Sequence, residues 1–369
     1  MGSSQPLVSS AMKHEPTITI EPPATELPTE TAAVLFETVT DWQVDGVHKS
    51  WKTSFHPLAL ADALDAKNID VHWLSAPAIA PLPGSTNNSS HNTHPAYHWP
   101  QSPTILALIP HWHCEPWLAR ALTAMIQQTH SLTHIVVIDD ASARPPIEIV
   151  SAFPTVTLLQ SAKRVGPYRL IQSIIDRVDY TAFLFQDADD WSSCDRLEIL
   201  LKTARQHNAE IVGSQEIRVL EPEQKLQAVG YPLDVNSALS EKPGHALLHP
   251  TSLVTSRILQ EIGGFATGLT FGGDTEFLLR AHWKARIVNC DRYCYFRRKR
   301  PHSLTTAAET GLNSPARQTL LNQIKQSAIA RIQSAALNQP LDLRPLSKAP
   351  SIDLEHLCGP SLRWRAGGL

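Results

Sequence analysis

The chain has 369 residues, with 32 Lys and Arg against 35 Asp and Glu, for a formal net charge of −3. Apolar residues make up 42% and charged residues 18%, which excludes wholesale disorder and supplies a sizeable core. The near-neutral balance argues against a dedicated nucleic-acid binder, whose footprint is basic. No run of about 18 apolar residues occurs, so no integral membrane segment is expected. A secretory signal, with its basic and then apolar pattern, is also not expected, and Pro6 stands where a myristoylation signal wants Ser or Thr. The five cysteines (Cys114, Cys194, Cys290, Cys294, Cys358) are scattered and odd in number, which suits a reducing cytoplasm better than a disulfide framework.

Residues 1–30 are rich in Pro, Thr, Ser and Glu and read as a flexible lead. Residues 31–102 read as a small α/β extension followed by a Pro-, Asn- and His-rich connection. In the extension, Ala32–Val39 reads as a strand, Leu58–Ala66 as a short helix and Ile69–Leu74 as a second strand. The informative part starts at Thr104. Thr104–Pro110 is an apolar strand, Trp117–Gln128 a helix, His134–Ile138 a strand and Thr155–Gln160 another. Tyr168–Arg177 has helical spacing, Tyr180–Phe185 is a fourth strand, Asp195–Gln206 a helix and Glu210–Val212 a short strand. Phe277–Trp283 and Ser314–Leu337 are further helices, and the tail beyond is left as a wrapping or loose segment. Strands alternating with helices predict an α/β fold: a mostly parallel, Rossmann-like sheet sandwiched by helices. In such sheets ligands collect beyond the carboxyl ends of the strands. Three of these ends carry polar clusters: Pro110–Glu115, Asp139-Asp140 and Asp187–Asp190.

Each cluster has a chemical reading and a plainer one. Asp187 and Asp189 are two apart, so an extended backbone projects both to one side. Hard oxygen donors so placed suit Mg²⁺ or Mn²⁺ shared with substrate phosphates. The plainer reading is a solvated acidic turn with Asp190 capping the next helix. Asp139-Asp140 suits a nucleobase or ribose, or a turn. His111, His113 and Cys114 have too little company for a zinc site, and His91, His94 and His98 sit in polar linker. Asp274, after Gly272-Gly273, can cap a helix or serve as a general base. Arg297-Arg298-Lys299-Arg300 can clamp a diphosphate or form a solvated loop.

Together these residues resemble glycosyltransferase family 2, of the GT-A fold, over roughly residues 103–312. Leu108–His113 resembles that family's first strand and nucleotide loop, and Val137–Ser142 its Val-Asp-Asp-Gly-Ser element. Phe185–Asp190 resembles its DxD motif. Gly263-Gly264-Phe265 with Asp274-Thr275-Glu276 resembles the region that supplies the base, and Arg297–Thr305 its closing segment. The resemblance implies inverting transfer of a sugar from a nucleotide-diphosphate donor, by family frequency UDP-linked, to a hydroxyl acceptor on a polysaccharide or glycolipid. It places Pro110, Trp112, Glu115, Asp139, Asp140, Arg169, Asp187 and Arg300 around the donor. It gives Asp187 and Asp189 to a Mn²⁺ or Mg²⁺ ion and makes Asp274 the base. Residues 313–369 then form a C-terminal helix and tail.

This sequence departs from the family pattern at two places. Gly273 stands where Glu often precedes the base, which leaves Glu276 as a second candidate base. Arg300 takes the place of the closing His, which leaves His302 as a candidate third metal ligand. A non-catalytic nucleotide-sugar-binding partner protein and a nucleotidyltransferase are the alternatives. The latter usually needs a Gly-rich, basic first loop, and residues 109–116 contain neither Gly, Lys nor Arg.

Overall fold

The structure, a computed structural model, describes residues 34–40, 49–53, 94, 96–220, 225–301, 303, 309–311 and 314–366. The lead, the Leu58–Ala66 helix and the Ile69–Leu74 strand lie outside the described residues. The predicted strand Ala32–Val39 corresponds to β1 (Val34–Thr40), paired antiparallel with β2 (Lys49–Thr53).

From residue 105 strands and helices alternate as expected. β3 (Ile105–His111) leads to α1 (Glu115–Ile126), and β4 (His134–Asp139) to the short α2 (Ile147–Ser151). β5 (Val156–Ser161) leads to α3 (Pro167–Ile175), and β6 (Ala182–Phe185) to the two-residue β7 (Trp191–Ser192) and α4 (Arg196–His207). The second half holds β8 (Ile211–Leu220), β9 (Lys225–Gly230), α5 (Val235–Glu241), β10 (Leu253–Thr255) and α6 (Ser256–Glu261). Then come α7 (Gly273–Ala281), β11 (Ile287–Lys299), α8 (Pro315–Ala336) and β12 (Leu354–Cys358).

The central strands β5, β4, β3 and β6 are parallel neighbours in that order. Because side chains alternate along a strand, one apolar run feeds two cores. Leu106, Leu108, Val136, Ile138, Phe183 and Phe185 face α3, α6, α7 and α8. Ile105, Ala107, Ile109, Ile135, Val137 and Leu184 face α1 and α4. Sheet growth beyond β6 is mixed: β10 is antiparallel to both β6 and β8, while β11 is parallel to β8.

Two stretches differ from expectation. β8 runs to Leu220 rather than stopping at Val212, because Ser214, Gln215 and Glu216 are buried inside the sheet with hydrogen-bond partners there. The Gln215 amide donates to the Cys290 carbonyl at 2.8 Å, and Glu216 accepts from Tyr231 Oη at 2.9 Å and Arg218 Nε at 2.8 Å. The tail, left open as wrapping or loose, wraps the core. β12 pairs antiparallel with β5 and extends the sheet at that edge.

One buried cation fastens tail to core. Arg280, fully buried, contacts the Glu276 carboxylate with both Nε (2.8 Å) and a terminal nitrogen (2.7 Å). It also donates to the carbonyls of Ile262 (2.7 Å), Gly264 (2.7 Å) and Leu343 (3.2 Å). The Leu346 amide donates to the same Glu276 at 2.9 Å. Arg280→Ala leaves that carboxylate buried without its partner. We expect a loss of about 3–5 kcal/mol of stability, read as a large drop in denaturant midpoint. A loss below about 1 kcal/mol, the scale of a surface ion pair, would show that the clamp is not structural.

Candidate active site

β3, β4 and β6 end at one edge, with His111 registered opposite Asp139 and Leu108 opposite Phe185. The Asp187–Asp190 loop therefore leaves the sheet beside Pro110. Its anchor is Arg196, fully buried at the start of α4. That guanidinium donates to the Phe185 and Pro250 carbonyls, each at 2.7 Å, and to Gln186 Oε1 at 2.9 Å. Tyr295 Oη accepts from the Asp187 amide at 3.1 Å. β7 pairs with β11, which brings the basic run against the acidic loop.

A cleft of about 160 Å³ opens at this edge. Asp187 and Asp274 line it from opposite elements, the β6 loop and the first turn of α7, together with Tyr168, His249, Arg297 and Arg317. Asp274 sits where a helix dipole favours an anion. Burial works against its charge, but His245, His249, the Thr275 amide and the Tyr168 hydroxyl outweigh it and hold its carboxyl below the usual range. It is thus ionised at neutral pH and able to accept a proton.

The ligand oxygens of Asp187, Asp189 and Asp190 lie within 4.8 Å of one another, the one such group among the described residues. Burial, and then repulsion from Asp189, push the Asp187 carboxyl up to about 7, with Arg297 opposing. Burial and the same neighbours raise Asp190 well above the ordinary carboxylate range. A hard divalent cation fits this donor set and would relieve the repulsion. Asp190 does not cap α4, whose N-cap is Asp195; its Oδ1 instead accepts from the Arg298 amide at 2.7 Å.

Several expected site residues have other employment. Glu276 is not placed as a base, since its carboxylate is buried and held by Arg280 and the Leu346 amide. Arg169 does not line the cleft; its Nε donates to the Pro350 carbonyl at 2.8 Å. The Asp139 carboxylate turns into the protein, accepting from His111 Nδ1 (2.7 Å), the Ser142 amide (2.8 Å) and the Gln160 amide (2.9 Å). Burial disfavours its charge, yet those bonds keep its carboxyl below the usual range. Asp140 accepts the amides of Val165 (2.7 Å) and Gly166 (2.8 Å), fixing the entry to α3. His111 is thus a buried partner of Asp139 rather than a metal ligand or a wall of the cleft.

The remaining expected residues sit at the same edge. Pro110 lines the cleft and Glu115 opens α1. Trp112 is exposed, with the Arg164 guanidinium 3.4 Å above its ring. Arg300 binds Asp189 rather than solvent. The basic run is accordingly no solvated loop: Arg297 reaches the cleft and Arg298 bonds the Asp189 carbonyl at 3.0 Å. His302 lies outside the described residues.

Gly273 has a local cause. A Cβ there would meet the Tyr168 ring at 2.8 Å, so the aromatic ring takes the space that a side chain before Asp274 would need. Two cleft residues, His249 and Arg317, were not anticipated, and Arg297 of the candidate diphosphate clamp joins them. His249, neutral because burial lowers it to about 4, packs with its ring tilted 4.2 Å from that of Phe185 on a short 3₁₀ turn. Arg297 and Arg317 complete the group, the latter from α8 and 4.6 Å over Phe271. His249, following the apolar run Ala246–Leu248, carried a weak sequence signal. Arg317 carried none, since helical spacing does not say which face meets a cleft.

A family model, Glycosyl transferase family 2, matches residues 107–228. Over those residues the chain resembles a family 2 glycosyltransferase domain. Among solved structures, S. aureus TarS 1–349 in complex with UDP-GlcNAc superposes with a TM-score of 0.50 at 17% identity, covering 64% of this chain and 73% of that one. The UDP complex of TarS 1–349 gives 0.45 at 17% identity, with coverages of 65% and 76%. No curated protein sequence matches the chain. The mixed α/β architecture of this glycosyltransferase is that of the GT-A fold.

Ala141 occupies the place of the glycine in the family's Val-Asp-Asp-Gly-Ser element, and its φ is +58°. A left-handed conformation costs an L-residue about 1–2 kcal/mol. Ala141→Gly should therefore stabilise the domain by about 1 kcal/mol, seen as a higher Tm; an unchanged or lower Tm would show no strain there. A second expectation concerns pH. Cation ligands must be deprotonated, and Asp187 ionises near 7. Apparent Mn²⁺ affinity should rise by about tenfold per pH unit below 7 and level off above it. A flat profile between pH 5.5 and 7 would exclude Asp187 as a ligand.

Proposed function

We propose that this glycosyltransferase is inverting and metal-dependent, transferring a sugar from a UDP-linked donor to an acceptor hydroxyl. The observation that carries this reading is that Asp187 and Asp274, from two separate elements, line one cleft, with Asp189 and Asp190 gathered behind the first. UDP as the nucleotide is supported by a neighbour of the same fold that holds UDP-GlcNAc. A polysaccharide or glycolipid acceptor remains an expectation of the family resemblance. Among the described residues no helix is long and apolar enough to cross a membrane. The thiol state of all five cysteines supports a reducing, cytoplasmic setting.

Asp274 takes the proton of the attacking hydroxyl. The new bond forms at the anomeric carbon while its bond to the diphosphate breaks from the opposite face. The electron pair leaves with the nucleotide and the proton stays on Asp274. Asp187 and Asp189 would hold a Mn²⁺ or Mg²⁺ ion, which when bound neutralises charge on the departing diphosphate. Arg297, at the cleft and 3.7 Å from Glu216, adds fixed positive charge close to the same group. Phe185, Phe271 and Tyr168 wall the cleft and limit its water.

Asp274→Asn should lower kcat by about a hundredfold or more while leaving donor KM near wild type, since a base acts in the transition state. Asp189→Ala should abolish transfer with little change in Tm. These are read as UDP release from UDP-sugars in the presence of Mn²⁺. Wild-type rates in Asp189→Ala would exclude the metal role; equal losses in kcat and donor binding for Asp274→Asn would leave Asp274 a charge in the first turn of α7 with no part in proton transfer. No UDP released from UDP-sugars, with pyrophosphate released from a nucleoside triphosphate and a sugar phosphate, would point instead to a nucleotidyltransferase.

A further inference from the structure

The Asp189 carboxylate already has a cationic neighbour. Arg300 Nε donates to Asp189 Oδ2 at 2.7 Å, with the two side chains 17% and 18% exposed. The guanidinium is held on two further sides: a terminal nitrogen lies 3.4 Å from Cys114 Sγ, and the indole ring of Trp117 lies 4.6 Å below it. The Asp189 backbone is fixed independently, through the Arg298 bond to its carbonyl at 3.0 Å. This pair is therefore a packed feature of the edge rather than a chance meeting of two surface chains.

A guanidinium bonded to Asp189 and a divalent cation shared by Asp187 and Asp189 claim the same negative charge. They also repel each other at such range. We propose that Arg300 is the resident counter-ion of Asp189 and that a divalent cation enters by displacing it, so Arg300 sets the metal affinity of the site. The inference rests on Asp187 and Asp189 being the metal-holding residues of the proposed function. It gives a physical role to the departure from the family pattern, because an arginine where a histidine is usual can only compete for the carboxylate, never ligate the ion. One feature makes displacement feasible: the Trp117 face keeps a cation–π contact for the released guanidinium.

The test uses the full chain and Mn²⁺ alone, with free Mn²⁺ measured by electron paramagnetic resonance at pH 8 and low ionic strength. Wild type, Arg300→Ala, Arg300→Gln and Asp189→Ala are compared, each checked for an unchanged circular dichroism spectrum. Arg300→Ala and Arg300→Gln should bind Mn²⁺ about tenfold more tightly than wild type, as expected for removal of a directly competing charge, and added salt should narrow the gap. If wild type binds Mn²⁺ above the Asp189→Ala level and neither Arg300 variant binds it more tightly, the displacement is overturned while the metal site stands. If no protein exceeds the Asp189→Ala level, the displacement and the metal reading fall together.

Discussion

Two carboxylates from distant parts of the chain face one cleft, and the rest of the architecture serves that meeting. Asp187 reaches it because β3, β4 and β6 are parallel and end at the same edge. Asp274 reaches it from the first turn of α7, after a left-handed Gly272 with φ of +74° turns the chain into the helix. Like charges do not gather without restraint. Here the restraint comes from the Thr275 amide and the Tyr168 hydroxyl on Asp274, Arg297 near Asp187 and Arg300 on Asp189.

Buried arginines do much of the positioning. Arg196 ties the end of β6 to the 3₁₀ turn that carries His249, joining two walls of the cleft. Arg280 ties α7, which carries Asp274, to the Gly263-Gly264 turn and to the tail. A planar guanidinium with several donors can satisfy carbonyls from separate loops at once, which a lysine cannot do. The C-terminal segment is likewise part of the site's frame. α8 supplies Arg317 to the cleft, and the strand β12 closes the sheet beside β5.

The parallel core was legible because apolar runs closed by Asp, Pro or Gly carry both a period and an end. Thr104–Pro110, His134–Ile138 and Tyr180–Phe185 became β3, β4 and β6 with ends shifted by a residue or two, and the acidic loop followed where expected. α8 was legible in the same way: Ser314 caps it through its side chain and Pro315 opens it. β8 was cut short in the sequence reading because Ser214, Gln215 and Glu216 look exposed until their partners on β11 and at Tyr231 are known. Site roles failed for a related reason. Residue type says what a carboxylate can do, while Asp139, Asp140 and Glu276 are decided by which donors fold against them. Tyr168 against Gly273 is a pairing across about 100 residues that no local pattern encodes.

The central claim is that strand-end carboxylates and the α7 carboxylate share one cleft organised for a cation and a diphosphate. A crystal structure grown with Mn²⁺ and UDP, with anomalous diffraction at the manganese edge, tests it most directly. The account predicts one strong anomalous peak in bonding contact with Asp187 and Asp189 oxygens, the diphosphate on it, and the Asp274 carboxylate facing the same hollow. A peak elsewhere, or a bound UDP with Asp274 turned away from it, would contradict the account.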